Sequence, residues 1–363
     1  MTDTPSIPAP DSKRLASVDA LRGITVAAML LVNDPGTWNH VFWPLDHAKW
    51  NGATPTDFIF PMFLFVMGTS IALAILPRLE TGRAPTLLRN AALWRAARIV
   101  ALGLIINILA AWFMPGRDMR WCGVLQRIGV CFAIAGILAI YTPRKTWWSI
   151  IIGLLLVYTL VLYSGGTLDK WLNIDDRFDT FVFGRYVWDW HAATGQGHDP
   201  EGILSTLGAL ATSLLGLCTG VWLRRKQIKA IVIAAIIALV LGYVWSLWLP
   251  WNKNLWTPSF VLWTAGWSML VLIAFHWMMD VRGWVPIGRR FGVNAIAAYA
   301  GSEFMQIALP ATGLQAILYH PLKRAIAPWA GADVASLVFA ILFVVLWWII
   351  VWVMDHQHWY LKI

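Results

Sequence analysis

The chain has 363 residues, of which 59% are hydrophobic and 13% are charged. An ordinary soluble domain is closer to half apolar, so this composition excludes one and indicates an integral membrane protein. The formal net charge is +9, but the basic residues cluster at the ends of apolar segments, as topology signals do, and we do not predict nucleic-acid binding.

The N-terminal residues 1–14 are rich in Pro and Ser and lack the apolar stretch of a cleavable signal peptide. We expect them to form a disordered cytoplasmic segment, followed by a single transmembrane domain over residues 15–363. The three cysteines, Cys122, Cys131 and Cys218, lie in apolar surroundings. They predict buried free thiols, with neither a disulfide framework nor a metal site.

Apolar runs of roughly 20 residues, enough to cross about 30 Å of hydrocarbon, recur along the chain. They are residues 15–33, 57–76, 93–112, 123–141, 146–163, 202–222, 229–249, 257–278, 291–309 and 334–354. The predicted fold class is therefore all-α, a polytopic helical bundle of about ten spans. Most basic residues fall at one set of helix ends, which predicts that this side and both termini are cytoplasmic.

The polar stretch between the first two spans, residues 33–61, is the candidate site. His47 lies there with Asp46, Asn51 and Asp57, so its imidazole is placed to act as a general base or a nucleophile. An interfacial histidine bonded to a loop carbonyl would give the same spacing.

Asn33 ends the first span and is followed by Asp34-Pro35-Gly36. Its amide is a candidate donor to a developing oxyanion. Asn and Asp are also common in turns for their own backbone bonding, and the spacing does not separate the two interpretations.

The predicted loop 164–201 gathers carboxylates and imidazoles on the same side of the bundle as His47. Solvated surface charge explains such a run equally well. Asp199 and Glu201 lie where the sixth span begins, and they predict either a helix cap or acceptors for a sugar.

Charged residues inside the spans are costly in lipid, so they should face the interior of the bundle. Arg127 and Glu303 are such residues, and they are expected to pair or to meet a ligand phosphate. Asp19 and Arg22, at the inner end of the first span, have the same ambiguity. No phosphate-binding loop, serine-hydrolase elbow, metalloprotease or dinucleotide motif is evident.

Several motifs together resemble the heparan-α-glucosaminide N-acetyltransferase family of transmembrane acyltransferases, and the shorter bacterial members in particular. The matching stretches are RLASVDALRGI (14–24), HAKWNGATPTDFIFPMFLFVMGTSI (47–71), GVLQRIG (123–129), DPEGILST (199–206), NKNLWTPSF (252–260) and GVNAIAAYAGSEF (292–304). They occur in the expected order over most of the chain.

This resemblance implies an enzyme that transfers an acetyl group from cytoplasmic acetyl-CoA to the amine of glucosamine or a terminal glucosaminide across the membrane. It implies that His47 is the active-site histidine and that Asn33 is its partner. It also implies a protein of the bacterial inner membrane with active-site loops facing the periplasm, and a possible homodimer.

Two routes stay open: direct attack by the amine with His47 as base, or an acetyl-imidazole intermediate on His47. Arginine suits the phosphates of coenzyme A, and the candidates are Arg22, Arg95, Arg98 and Arg127. The acceptor candidates are Asp34, Asn51, Asp57, Asp199, Glu201, Asn252, Lys253 and Trp256, the last by stacking on a sugar ring. O-acetylation of a surface or cell-wall sugar, or solute transport without catalysis, remain alternatives.

Overall fold

A computed structural model of the chain describes residues 15–114 and 116–361. In that part of the chain the structure is mainly helical, with one short antiparallel hairpin, so the predicted all-α class is confirmed. The predicted disordered segment 1–14, together with the basic residues at its end, lies outside the described residues.

Most elements follow one another with short connections, and a longer connection, residues 34–58, joins the first two long helices. The helices are α1 (Ala16–Asn33), α2 (Ile59–Glu80), α3 (Pro85–Phe113), α4 (Val124–Tyr141), α5 (Arg144–Ser164), α6 (Ile174–Phe183), α7 (Ser205–Arg224), α8 (Ile228–Ser246), α9 (Pro258–Phe275), α10 (Arg289–Val293), α11 (Ala295–Ala311), α12 (Leu314–Ala330) and α13 (Ala332–His356). The strands are β1 (Asp189–His191) and β2 (Gln196–His198). A π-helical turn, His276–Val281, continues α9, and a 3-10 turn, Pro55–Phe58, precedes α2.

Nine of the helices described here are long and apolar enough to cross a membrane: α1 to α5, α7 to α9 and α13. The predicted span at 291–309 is instead divided at Asn294 between α10 and α11. Helix α11 has 17 residues, or about 26 Å at the usual rise, which is shorter than the hydrocarbon layer. The bundle is therefore polytopic, with nine spans by length and composition where the sequence predicts about ten.

The centre of the bundle is the packing of α2 against α7. A Cβ atom on Gly68 would lie 1.9 Å from the carbonyl oxygen of Ser213, and one on Gly216 would lie 2.0 Å from that of Phe65. The Thr69 hydroxyl donates across the same contact to the Gly216 carbonyl, at 3.0 Å. Small residues let membrane helices approach closely, so this glycine-lined seam fixes α2 and α7 as one unit.

One end of the bundle, called the basic end here, is held by ion pairs between helix termini. Glu80, the last residue of α2, pairs with Arg144 at the start of α5 and with Arg224 at the end of α7. The first turn of α1 lies at this end as well, because the backbone N–H of Ser17 donates to Asp280 after α9. The opposite end, called the loop end, carries the connection 34–58 and the region 165–204.

The region 165–204 is folded, although the sequence predicted a loop. Asn173 caps the N-terminus of helix α6, and its side chain accepts a hydrogen bond from the backbone N–H of Asp176 at 2.9 Å. The Asp176 carboxylate in turn lies 2.6 Å from Nδ1 of His198 on β2. Asp175 and Asp179 are also buried, so these carboxylates are part of a packed unit and not solvated surface charge. The stretch that the predicted spans leave between residues 309 and 334 likewise contains a helix, α12.

Candidate active site

His47 and Asp57 form a close pair at the loop end. Nδ1 of His47 lies 2.6 Å from Oδ1 of Asp57. The Asp57 side chain is 1% exposed and the His47 side chain 42% exposed. An ionised carboxylate only accepts, so Nδ1 carries the hydrogen, and in the neutral imidazole the lone pair lies on Nε2. The sequence predicted that these residues lie near each other, and the structure gives them this geometry.

Asp57 is fixed by its own chain. Thr54 and Asp57 form a capping box around the 3-10 turn, with the Asp57 carboxylate accepting from the Thr54 N–H at 2.9 Å. It also accepts from the Ala48 N–H at 3.1 Å. Because these bonds and His47 occupy the carboxylate, Asp57 is not available to a sugar, and its predicted role in acceptor binding is not supported by its position.

Lys253 reaches the other side of the imidazole. Its Nζ atom lies 3.3 Å from Nε2 of His47. The segment 250–257 that carries it is docked on the His47 connection, because the side-chain amide of Asn252 donates to Oδ1 of Asn51 at 3.1 Å and the Gly52 N–H donates to the Trp251 carbonyl at 2.7 Å. The predicted acceptor residues Asn51, Asn252 and Lys253 are thus brought together beside His47.

Trp256, near the end of this segment, has an unusual backbone conformation, with φ of 48°. A bulky residue seldom adopts the left-handed region, and such strain is held only by surrounding structure. The indole is fully buried, packs edge-on against Phe60 and donates to the Thr212 hydroxyl at 3.1 Å. It is therefore a buried anchor of the segment, and the predicted stacking on a sugar ring is not supported.

Asp199 and Glu201 are held by an arginine that sequence reasoning did not select. Arg120 donates to Oδ1 of Asp199 at 2.8 Å and also contacts the Glu201 carboxylate. The only available signal was its position, since it is a basic residue on the acid-rich side of the bundle, against the charge bias. Although burial opposes ionisation, Arg120, Arg127 and Lys253 lower the pKa of Glu201. Glu201 therefore carries a negative charge at the site.

Asn33 is the last residue of α1 and is partly exposed. The ring contacts of His47 in the described residues are with Asp57 and Lys253 and do not include Asn33. The neighbouring Asp34 is buried and accepts from the Gln306 side chain at 2.9 Å. Burial, reinforced by the Glu303 carboxylate, raises the pKa of Asp34 to about 9.

The four arginines predicted to bind coenzyme A separate into two groups. Arg22, on α1, donates to Asp19 at 3.0 Å and to the Ser70 hydroxyl at 2.6 Å. Arg95 and Arg98, on α3, share its neighbourhood, because Arg95 experiences the charges of both other arginines. These three form one basic group on α1 and α3, in which Arg22 is partly buried and Arg95 and Arg98 are exposed.

Arg127 lies apart from that group. It is 2% exposed, donates to the Gly202 carbonyl at 3.1 Å and to the Ser205 hydroxyl at 2.6 Å, and its guanidinium lies over the Trp256 ring. It supports the start of α7, and its predicted contact with a coenzyme A phosphate is not supported by this position.

A surface pocket of about 410 Å³ lies elsewhere at the loop end, between the turn at Gly36 and helix α12. Its lining includes Thr37, Tyr319, His320 and Lys323 but not His47. Among the described residues, no group of three or more His, Cys, Asp or Glu side chains is arranged to hold a metal ion.

The fold and the site together define a polytopic helical protein in which an exposed histidine at one end of the bundle is paired with a buried carboxylate. Comparison with known families adds a match over residues 14–177 to a family described as heparan-alpha-glucosaminide N-acetyltransferase, catalytic. That range contains His47, Asp57 and Arg120, whereas Glu201 and Lys253 lie beyond it.

Two curated relatives match a larger part of the chain. The heparan-alpha-glucosaminide N-acetyltransferases of Mus musculus and Homo sapiens are each 28% identical to it, over 82% of this chain. The alignments cover 55% and 54% of those proteins, so the chain spans about half the length of the curated relatives it matches. The resemblance deduced from the sequence motifs is confirmed.

Proposed function

We propose that this chain is a transmembrane acetyltransferase that moves an acetyl group from acetyl-coenzyme A to the amine of glucosamine or of a terminal glucosaminide. The observation that carries the proposal is the His47–Asp57 pair, at 2.6 Å, in which Nε2 faces away from the carboxylate on a side chain that is 42% exposed. The names of the curated relatives supply the acceptor and the reaction class.

His47 acts on the acceptor through Nε2. A buried carboxylate at Nδ1 fixes the tautomer and stabilises the imidazolium that forms when Nε2 takes a proton. In the direct route Nε2 removes a proton from the acceptor amine as the amine attacks the thioester carbonyl. In the two-step route Nε2 attacks first and the acetyl group passes through an acetyl-imidazole. Asn33, at the end of α1, is the proposed amide donor to the oxyanion in both routes.

The acetyl donor enters from the basic end. Arg22, Arg95 and Arg98 form the basic group nearest to it and are the proposed phosphate contacts, whereas Arg127 is removed from that set. The basic end is cytoplasmic by the bias of positive residues, so the loop end faces the periplasm of a bacterial inner membrane. The single domain that begins at residue 15 then connects a donor on one side to an acceptor on the other.

The acceptor binds among the loops around His47. Glu201, kept ionised by Arg120, is the proposed partner of the sugar hydroxyls or the amine, with Asp199 supporting the same arginine. Asn51 and Asn252, which bond to each other, set the width of the opening. Asp34 lies beside Asn33 and is a further proposed polar contact for the acceptor.

The experiment measures thiol release from acetyl-coenzyme A by the purified protein, with and without glucosamine, for the wild type, His47→Ala and His40→Ala. His40 is a matched control because it lies in the same connection and its Nδ1 contacts a different carboxylate, Asp333, at 3.0 Å. We expect glucosamine-dependent release in the wild type and in the His40 variant and none in the His47 variant.

The other outcomes separate the alternatives. Release that needs a sugar without an amine points to O-acetylation. A wild-type protein that releases no thiol with any amino sugar overturns the proposal and makes uptake of amino sugars into vesicles the next measurement.

A further inference from the structure

The ammonium group of Lys253 contacts the reactive nitrogen of His47. Nζ and Nε2 are 3.3 Å apart, and a lysine ammonium can only donate. The other charged neighbours of this pair are Asp57 on the far side of the ring, and Glu201, Arg120 and Arg127 around the lysine. The backbone N–H of His47 is held by the Asp46 side chain.

The segment 250–257 fixes the position of Lys253. Oδ1 of Asn252 accepts from the Leu255 N–H at 2.9 Å, while its amide reaches Asn51. On the other side of Lys253, the buried Trp256, in its left-handed conformation, anchors the segment to the bundle. The surrounding structure holds the strained backbone at Trp256 in place. This fixes the position of the nearby Lys253 Cα atom and therefore the distance from its ammonium group to His47.

Acetyl transfer needs an acid as well as a base. When the carbon–sulfur bond of the thioester breaks, the electron pair goes to sulfur and an alkyl thiolate leaves. An alkyl thiol has a pKa of about 8.5, so its thiolate is a poor leaving group unless a nearby group supplies a proton. His47 cannot do so while its Nε2 is the base or the nucleophile.

Resting on the proposed function, we infer that Lys253 is the general acid of the reaction and donates a proton from Nζ to the sulfur of coenzyme A as the thioester bond breaks. In the direct route Nε2 of His47 takes one proton from the amine and Nζ of Lys253 gives one to sulfur. The proton on Nε2 then returns to Nζ across the 3.3 Å contact. Overall, an amine and a thioester give an amide and a thiol, and no proton is exchanged with solvent.

The two-step route uses the same pair. Lys253 protonates the departing sulfur while the acetyl group is on Nε2, and the neutral amine that remains accepts the proton of the attacking acceptor. Burial lowers the pKa of Lys253, partly offset by the carboxylates of Glu201 and Asp57. A lysine with a lowered pKa gives up its proton more readily than a solvated one, which suits it to this step.

The test compares leaving groups. Acetyl-coenzyme A releases an alkyl thiolate that needs a proton, whereas S-(4-nitrophenyl) thioacetate releases a stable aryl thiolate that does not. This aryl thioester is small enough to reach the exposed His47 from the loop end. Rates of both donors with glucosamine are measured for the wild type, Lys253→Met, Lys253→Arg and Lys49→Met. Lys49 is an exposed lysine two residues from His47 and serves as the matched control.

We expect Lys253→Met to lower kcat with acetyl-coenzyme A by roughly 10²-fold or more, the usual contribution of a general acid. With the aryl thioester its rate should stay within a few-fold of the wild-type rate. Lys253→Arg should behave in the same way, because a guanidinium keeps the charge and does not release its proton. Lys49→Met should match the wild type on both donors, and His47→Ala should fail on both.

Two results overturn the role of Lys253 alone: an equal loss on both donors in a folded Lys253→Met protein, or full activity of Lys253→Arg with acetyl-coenzyme A. A wild-type protein without acetyl transfer to amino sugars overturns the proposed function itself, and the assignment of Lys253 with it. Thermal unfolding of each variant, compared with that of the wild type, separates these results from misfolding.

Discussion

Replacing Asp57 by Asn tests whether the buried carboxylate controls His47. The substitution preserves the size and shape of the side chain, and the amide oxygen can still accept from the N–H groups of Thr54 and Ala48. The amide nitrogen then faces Nδ1 of His47. Since that nitrogen only donates, the imidazole must place its lone pair on Nδ1 and its hydrogen on Nε2, where the base is needed.

The size of the effect follows from the contact. A hydrogen bond to a buried charge contributes about 1.5–3 kcal/mol, and each 1.36 kcal/mol changes a rate tenfold, so loss of this bond alone lowers kcat by roughly 10- to 150-fold. The wrong tautomer adds to this, as in the Ser–His–Asp triad, where the same Asp-to-Asn change costs about 10⁴. We expect a fall of at least about 10-fold for Asp57→Asn.

The assay is thiol release at saturating donor and acceptor, with thermal unfolding measured on the same preparations. Asp333→Asn is the matched control, since it alters the His40–Asp333 pair at 3.0 Å in the same way and should leave kcat unchanged. A folded Asp57→Asn protein with kcat within a factor of about three of wild type, under 1 kcal/mol, contradicts the control of His47 by this carboxylate.

Three further predictions concern stability, measured by thermal or denaturant unfolding in detergent. Arg120→Met leaves two buried carboxylates without their cation and should cost about 3–5 kcal/mol, whereas Arg185→Met, at an exposed ion pair, should cost about 0–1 kcal/mol; equal effects would contradict the buried network. Gly216→Ala forces a methyl group to 2.0 Å from an α2 carbonyl and should cost about 1–3 kcal/mol or more. Gly153→Ala, which meets open space, should change little. Because the pKa of Asp34 is raised from 3.8 to about 9 by burial, its contribution to stability is lost as pH rises over that range. The melting temperature of the wild type should therefore fall more steeply from pH 5 to 9 than that of Asp34→Asn, and parallel curves would rule out this group as the cause.

The helices could be predicted because a membrane span is a local property of about 20 residues. The break at Asn294 could not, since residues 291–309 are apolar enough on average to predict one span and the division depends on how α10 packs near α1. There, a Cβ atom on Gly292 would lie 1.8 Å from the Asp19 carbonyl. A contact between residues so far apart in sequence leaves no periodic pattern.

The site was predictable where its members are neighbours in sequence. His47 and Asp57 are ten residues apart, so a local fold of one connection is enough to bring them together. Lys253 is 206 residues from His47, so spacing could name it only as a possible sugar contact. Arg127 and Trp256 show the opposite limit, because residue types that suit a phosphate or a sugar ring are here used to pack the start of α7 and the segment 250–257.

The seam between α2 and α7 determines which parts of the molecule can be exchanged. Since Gly68 and Gly216 bring the two backbones into contact, the His47 pair at the head of α2 and the Glu201 network at the head of α7 share one rigid base. Residues 165–198 and helix α12 are attached around that base at the loop end. Chimeras that replace those two segments, while the seam is retained, are the natural route to new acceptor preferences, and a graft that includes only one of the seam helices should not fold.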